Sequence, residues 1–117
     1  MKKNTTLGIE ELAIALDTVP IGITIIDLDG HILYYNEYCS RYVDRKPEYI
    51  GKNIRSCHQK KQSIKKLDKI FDQLRRGEIQ EYYYESVRNE KKLGVRLSPF
   101  EIKGRSIGFI QSFSILQ

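Results

Sequence analysis

The sequence predicts an α+β fold: a five-stranded antiparallel sheet with short helices and one long helix on one face, preceded by an amphipathic helix. Three observations lead there. Apolar residues recur at helical spacing in two stretches, Ile9 to Leu16 and Ile64 to Leu74. Extended, alternating runs fall into two groups, a pair before Asn36 and three after Glu81. Turn pairs such as Asp29-Gly30 and Lys103-Gly104 separate neighbouring runs, so these strands fold back as hairpins rather than through parallel crossovers.

The first helix carries Ile9, Leu12, Ala13 and Leu16 on one stripe. Thr5 or Thr6 is its expected cap, and Pro20 ends it by disfavouring helical backbone at Val19. In Gly22–Asn36, Ile23 and Ile25 alternate with small or polar residues, Asp29-Gly30 turns the chain, and Ile32 to Tyr35 resume an extended pattern. Residues 36–58 read as short helices and loops, with Tyr38, Tyr42 and Cys39 facing inward from one turn-rich helix. Residues 61–76 form the clearest helix: Ile64, Leu67, Ile70, Phe71 and Leu74 share a face, and Gly77 stands where a C-terminal cap belongs. Tyr82 to Val87 is rich in strand formers, residues 88–92 read as a hairpin loop, and Leu93, Val95 and Leu97 alternate. Ile107, Phe109, Gln111, Phe113 and Ile115 give the last strand its period of two.

Composition narrows the class. A chain of 117 residues makes one domain that buries roughly two thirds of its unfolded surface. With 40% hydrophobic and 10% aromatic residues it is not a disordered polymer, and no apolar run approaches a membrane span. No secretory signal follows Met1-Lys2-Lys3, and two cysteines, Cys39 and Cys57, are too few for a disulfide scaffold, so a cytoplasmic protein is expected. The net charge of +5 is uneven: −4 over residues 1–44, +8 over 45–77 and +1 over 78–117. The excess is read as the solvated face of the long helix. A basic nucleic-acid-binding surface over Lys60 to Arg76 ranks last, because no interleaved aromatic pattern accompanies it.

The run V-P-I-G-I-T-I-I-D-L-D-G-H-I-L-Y-Y-N from Val19 to Asn36, the run Y-I-G-K-N-I from Tyr49 to Ile54, and three closing strands after a long helix resemble a PAS sensor domain. The resemblance covers Leu16 to Leu116 and implies a domain over 19–117 preceded by a helix over 1–18. It implies a ligand pocket between sheet and helices, lined here by Ile25, Tyr35, Tyr38, Tyr42, Ile54, Ile64, Leu67, Phe71, Leu97 and Phe109. It also implies homodimerisation through the sheet and the helix bearing Ile9, Leu12, Ala13 and Leu16, although that helix could instead pack on its own sheet.

Two photoreceptor groups of the family share part of the 51–56 run. In light-oxygen-voltage domains a cysteine attacks flavin, but Ile54 stands at that position, so no flavin adduct can form. The chromophore cysteine of photoactive yellow protein lies further downstream than Cys57. A subgroup with Cys-His-Pro-Pro or Leu-His-Pro before the long helix is the better match, and its carbon-monoxide sensors use the histidine as an axial heme ligand. Carried over, His58 would hold heme iron. Gln59 and Lys60 replace the prolines, one residue is inserted before the helix, and no second axial ligand stands out. A surface or helix-capping role for His58 therefore ranks ahead of heme.

The remaining motifs carry no chemistry of their own. Asp27 and Asp29 fit a turn better than a metal loop, no zinc pattern or nucleophile elbow occurs, and an enzyme is not expected. The expected function is signal transduction or transcription regulation by ligand sensing, with a ligand-free interaction module as the alternative. No kinase, cyclase or helix-turn-helix follows Gln117, so the chain is expected either to work by docking or to be part of a larger protein.

Overall fold

The computed structural model describes residues 4–57 and 61–116, and begins with helix α1 (Ile9–Thr18). Its cap is Gly8 rather than a threonine: the Gly8 N–H donates to Glu11 Oε1 at 3.0 Å, while Thr5 Oγ1 serves the N–H of Leu7. The helix stops at Thr18 because Val19, ahead of Pro20, is extended. Strands β1 (Gly22–Asp27) and β2 (Ile32–Tyr35) form the hairpin predicted at Asp29-Gly30, with Gly30 at φ 94°. Helix α2 (Glu37–Tyr42), 3-10 turns at Pro47–Tyr49 and Ile54–Cys57, and helix α3 (Lys61–Arg75) follow. Gly77, at φ 75°, ends α3 as the sequence predicts; its N–H reaches the Leu74 carbonyl and that of Glu78 reaches Gln73.

The last three strands are β3 (Tyr82–Arg88), β4 (Lys91–Ile102) and β5 (Arg105–Leu116). The predicted loop over 88–92 is tighter than expected. Strand pairing runs through Arg88 and Lys91, leaving a two-residue turn with Asn89 and Glu90 at φ 50° and 66°. A turn with both central residues left-handed matches the twist of the flanking strands, which is why pairing continues to its edge. The five strands form one antiparallel sheet in the order β2-β1-β5-β4-β3.

The core lies between the inner sheet face and the helices, in two adjoining clusters. One joins Ile26, Ile32, Ile54, Leu67, Ile70, Phe71, Leu74, Leu97 and Phe109, with the Phe71 and Phe109 rings stacked at 4.6 Å. The other joins Cys39, Leu93, Val95 and Phe113, and the rings of Tyr38 and Tyr42 lie 6.2 and 6.3 Å from that of Phe113. In β1 the sequence reading has the wrong face inward. Thr24 and Ile26 are buried at 1% exposure, while Ile23 and Ile25 face the other side. Side chains alternate along a strand, so choosing the wrong member of each pair inverts the whole strand. No described helix is long and apolar enough to cross a membrane.

Candidate functional site

Helix α2 owes its placement to Asn36. Buried completely, this side chain makes four hydrogen bonds: Oδ1 accepts from the N–H of Ile23 and of Cys39, and Nδ2 donates to the Leu16 and Ile21 carbonyls at 2.7 and 2.9 Å. One amide thus ties the end of α1, the start of β1 and the start of α2 together. After α2 closes with the Val43 N–H on the Cys39 carbonyl, the stretch from Asp44 to Lys46, in neither helix nor strand, passes over the sheet.

That path sets Arg45 on the inner face. Its Nε donates to Thr24 Oγ1 at 3.3 Å, Nη2 to Gln111 Oε1 at 3.0 Å, and Nη1 to the Asp44 carbonyl at 2.9 Å. Gln111 Nε2 in turn donates to the Tyr84 hydroxyl at 3.4 Å, and Thr24 Oγ1 lies 3.3 Å from Cys39 Sγ. The result is a polar chain, Cys39–Thr24–Arg45–Gln111–Tyr84, crossing an otherwise apolar layer from β1 to β3. Burial pushes the Cys39 thiol up, against its bond with Thr24 and the charge of Arg45. Burial also pushes the Tyr84 phenol up, partly offset by its bond with Gln111 and by the charges of Arg88 and Arg45. Both groups are therefore held neutral and protonated at neutral pH.

Beside this chain lies a cavity of about 80 Å³, lined on one side by Val43, Asp44 and Arg45 and on the other by the sheet residues Tyr84, Ser86, Arg88, Leu93, Val95, Gln111 and Phe113. Leu93, Val95 and Phe113 form an apolar floor; Arg45, Gln111, Tyr84 and Ser86 form a polar rim. The volume holds two or three waters, at about 30 Å³ each, or one small molecule.

None of the residues expected to line a pocket lines this cavity. Ile54, Leu67, Phe71, Leu97 and Phe109 are packed into the first core cluster, and Tyr35 packs against both clusters. Tyr38 and Tyr42 pack on the second, with ring centroids 5.1 Å apart. Ile64 is half-buried on α3, and Ile25 does not join them because it sits on the outer face beside Tyr34 and Ile110. His58 lies outside the described residues. On α1, no residue is fully buried: Ala13 and Leu16 are half-buried, Ile9 is 88% exposed and Leu12 44%. Asp27, Asp29 and His31 gather at the first turn, where Asp27 Oδ1 accepts from the N–H groups of Asp29 and His31 and Oδ2 lies 3.1 Å from His31 Nδ1. That pattern is how an aspartate closes a turn.

Arg45, Thr24, Tyr84 and Gln111 escape the sequence reading. Gln111 carries the one usable signal, a polar residue in the inward row Ile107, Phe109, Gln111, Phe113, Ile115. Thr24 would follow once the face of β1 is known. Arg45 carries no signal, since a loop arginine is ordinarily solvated.

A family model described as "PAS domain" matches residues 12–113. Among solved structures, a C-terminal domain from Streptococcus mutans is 23% identical with a TM-score of 0.84, the match covering 100% of this chain and 91% of that one. A sensory box sensor histidine kinase from Vibrio cholerae is 18% identical with a TM-score of 0.66, covering 92% and 91%. The PAS domain of the quorum-sensing receptor RpfR from Cronobacter turicensis, in complex with BDSF, is 18% identical with a TM-score of 0.62, covering 85% and 96%. At these identities the likeness to the solved structures is one of fold. No curated protein matches the chain in sequence.

Proposed function

The chain belongs to the PAS domain family, and from that premise we propose that it is the sensory module of a signalling protein, taking a small ligand into the cavity at Arg45. The observation that carries this reading is the polar chain Thr24–Arg45–Gln111–Tyr84 beside an apolar floor. A few fixed polar groups on an apolar wall are what orient a small ligand. Two structural relatives, a sensor kinase and a ligand-bound receptor domain, fit such a role. A ligand there bridges the 43–45 segment to β3, β4 and β5, so it favours one packing of the segment after α2 over another. Such differential affinity is what a sensor requires.

Heme does not fit this cavity: about 80 Å³ falls well below the roughly 300–1,000 Å³ of pockets for drug-sized ligands. The heme reading rests on His58, which lies outside the described residues. A second reading, dimerisation through α1, is supported by the exposure of Ile9, Leu12 and Ile14 on one short helix.

Native mass spectrometry of the purified protein tests the ligand reading. The expected result is a small non-covalent adduct, without a Soret band in the absorption spectrum, that is lost when Ser86→Phe fills the cavity from β3. A bare chain whose thermal midpoint no small-molecule collection moves would sink the reading. A Soret band abolished by His58→Ala would replace it with heme sensing.

A further inference from the structure

The rim of the cavity is built of donors. Arg45 has five N–H groups, and three of them go to the neutral oxygens of Thr24, Asp44 and Gln111. One N–H on each Nη is left over, and among the described residues no carboxylate lies within ion-pair distance of the guanidinium. Tyr84 accepts from Gln111, so its own O–H is left to donate, and Ser86 adds a hydroxyl. Arg88, also without an ion-pair partner among the described residues, brings a second cation to the lining, and the fields of both arginines reach the Tyr84 oxygen. The one acid in the lining, Asp44, accepts from the Tyr49 hydroxyl through Oδ2 at 3.1 Å.

Unspent donors and two unpaired cations on one rim select for negative charge, because a guanidinium bond to an anion is stronger than the bonds to neutral oxygens that Arg45 now makes. A planar carboxylate matches the two free N–H groups of a guanidinium. The floor of Leu93, Val95 and Phe113 gives nothing to an inorganic anion but covers a short carbon chain. Resting on the reading of the cavity as a ligand site, we propose that its ligand is a small aliphatic carboxylate. Its charge is held by Arg45 with Arg88, and its carbon chain lies on Val95 and Phe113.

Propionate and its uncharged isostere propionamide test this, titrated into the protein and followed by amide NMR shifts. Propionate is expected to move the amides of Val95, Gln111 and Phe113, with propionamide binding about tenfold more weakly or worse. Arg45→Gln should remove the preference and Arg88→Gln should reduce it. If both probes bind equally well at those amides, the cavity remains a ligand site and the anionic class is wrong. If neither moves them, the carboxylate class is wrong, while the ligand reading stands or falls separately on the native mass spectrum and the thermal midpoint. The wild-type comparison decides by itself should Arg45→Gln fail to fold, and Arg88, on the exposed end of β3, supplies a milder variant.

Discussion

At the scale of single residues, the molecule depends most on Asn36. Every donor and acceptor of its amide is used, and all four partners are backbone groups from three different elements. Removing the amide strands those groups in a site with no solvent exposure, and each unsatisfied buried group costs about 1–3 kcal/mol. Asn36→Ala is therefore expected to lower stability by roughly 2–4 kcal/mol in urea unfolding; a loss below about 0.5 kcal/mol would mean the network is dispensable. Arg45 is the opposite case. Its three partners are neutral oxygens, and no carboxylate among the described residues pairs with its charge, which is the arrangement the proposed ligand site relies on.

Among the elements, the β1–β5 pairing is the joint between the two halves of the sheet, and Gly108 makes it feasible. Gly108 pairs with Asp27, and a Cβ there would meet the backbone oxygen of Ile26, which cannot swing away as a side chain could. Gly108→Ala should force β1 from β5 and destabilise by about 1–3 kcal/mol, read from the denaturation midpoint. An unchanged midpoint would show that the strands can spread without loss. Helix α3 contributes through its apolar face, with Leu67, Ile70, Phe71 and Leu74 buried and Lys65, Lys66 and Lys69 exposed. The described positive charge on this helix thus sits in water, in keeping with the reading of a solvated face.

For the whole molecule, the unsettled surface is α1 with the outer sheet face. Ile9 and Ile14 are 88% and 64% exposed, and Ile25, Tyr34 and Ile110 sit together on the outer face of β1, β2 and β5. A small domain gains buried area by pairing such surfaces. The expected outcome in analytical ultracentrifugation is a dimer that Ile9→Glu with Ile14→Glu weakens by about tenfold or more. Helical content should stay the same, since both side chains are mostly exposed. A wild-type protein that stays monomeric at high concentration would rule this interface out.

The sequence by itself determined the order of elements, both helices with a clear apolar stripe, the hairpin at Asp29-Gly30 and the turns at Gly77 and Lys103-Gly104. Those features are local: periodicity and turn chemistry act within a few residues, and they do not wait for a partner. Only the tertiary structure decided which face of β1 points inward, because Ile23 with Ile25 and Thr24 with Ile26 both alternate acceptably. The choice went to the pair that could meet Cys39, Arg45 and the core. The candidate site was the least legible part. Its residues come from β1, the loop after α2, β3, β4 and β5, and an inward Gln111 or a loop Arg45 acquires meaning only when strands far apart in sequence set them 3.0 Å from each other.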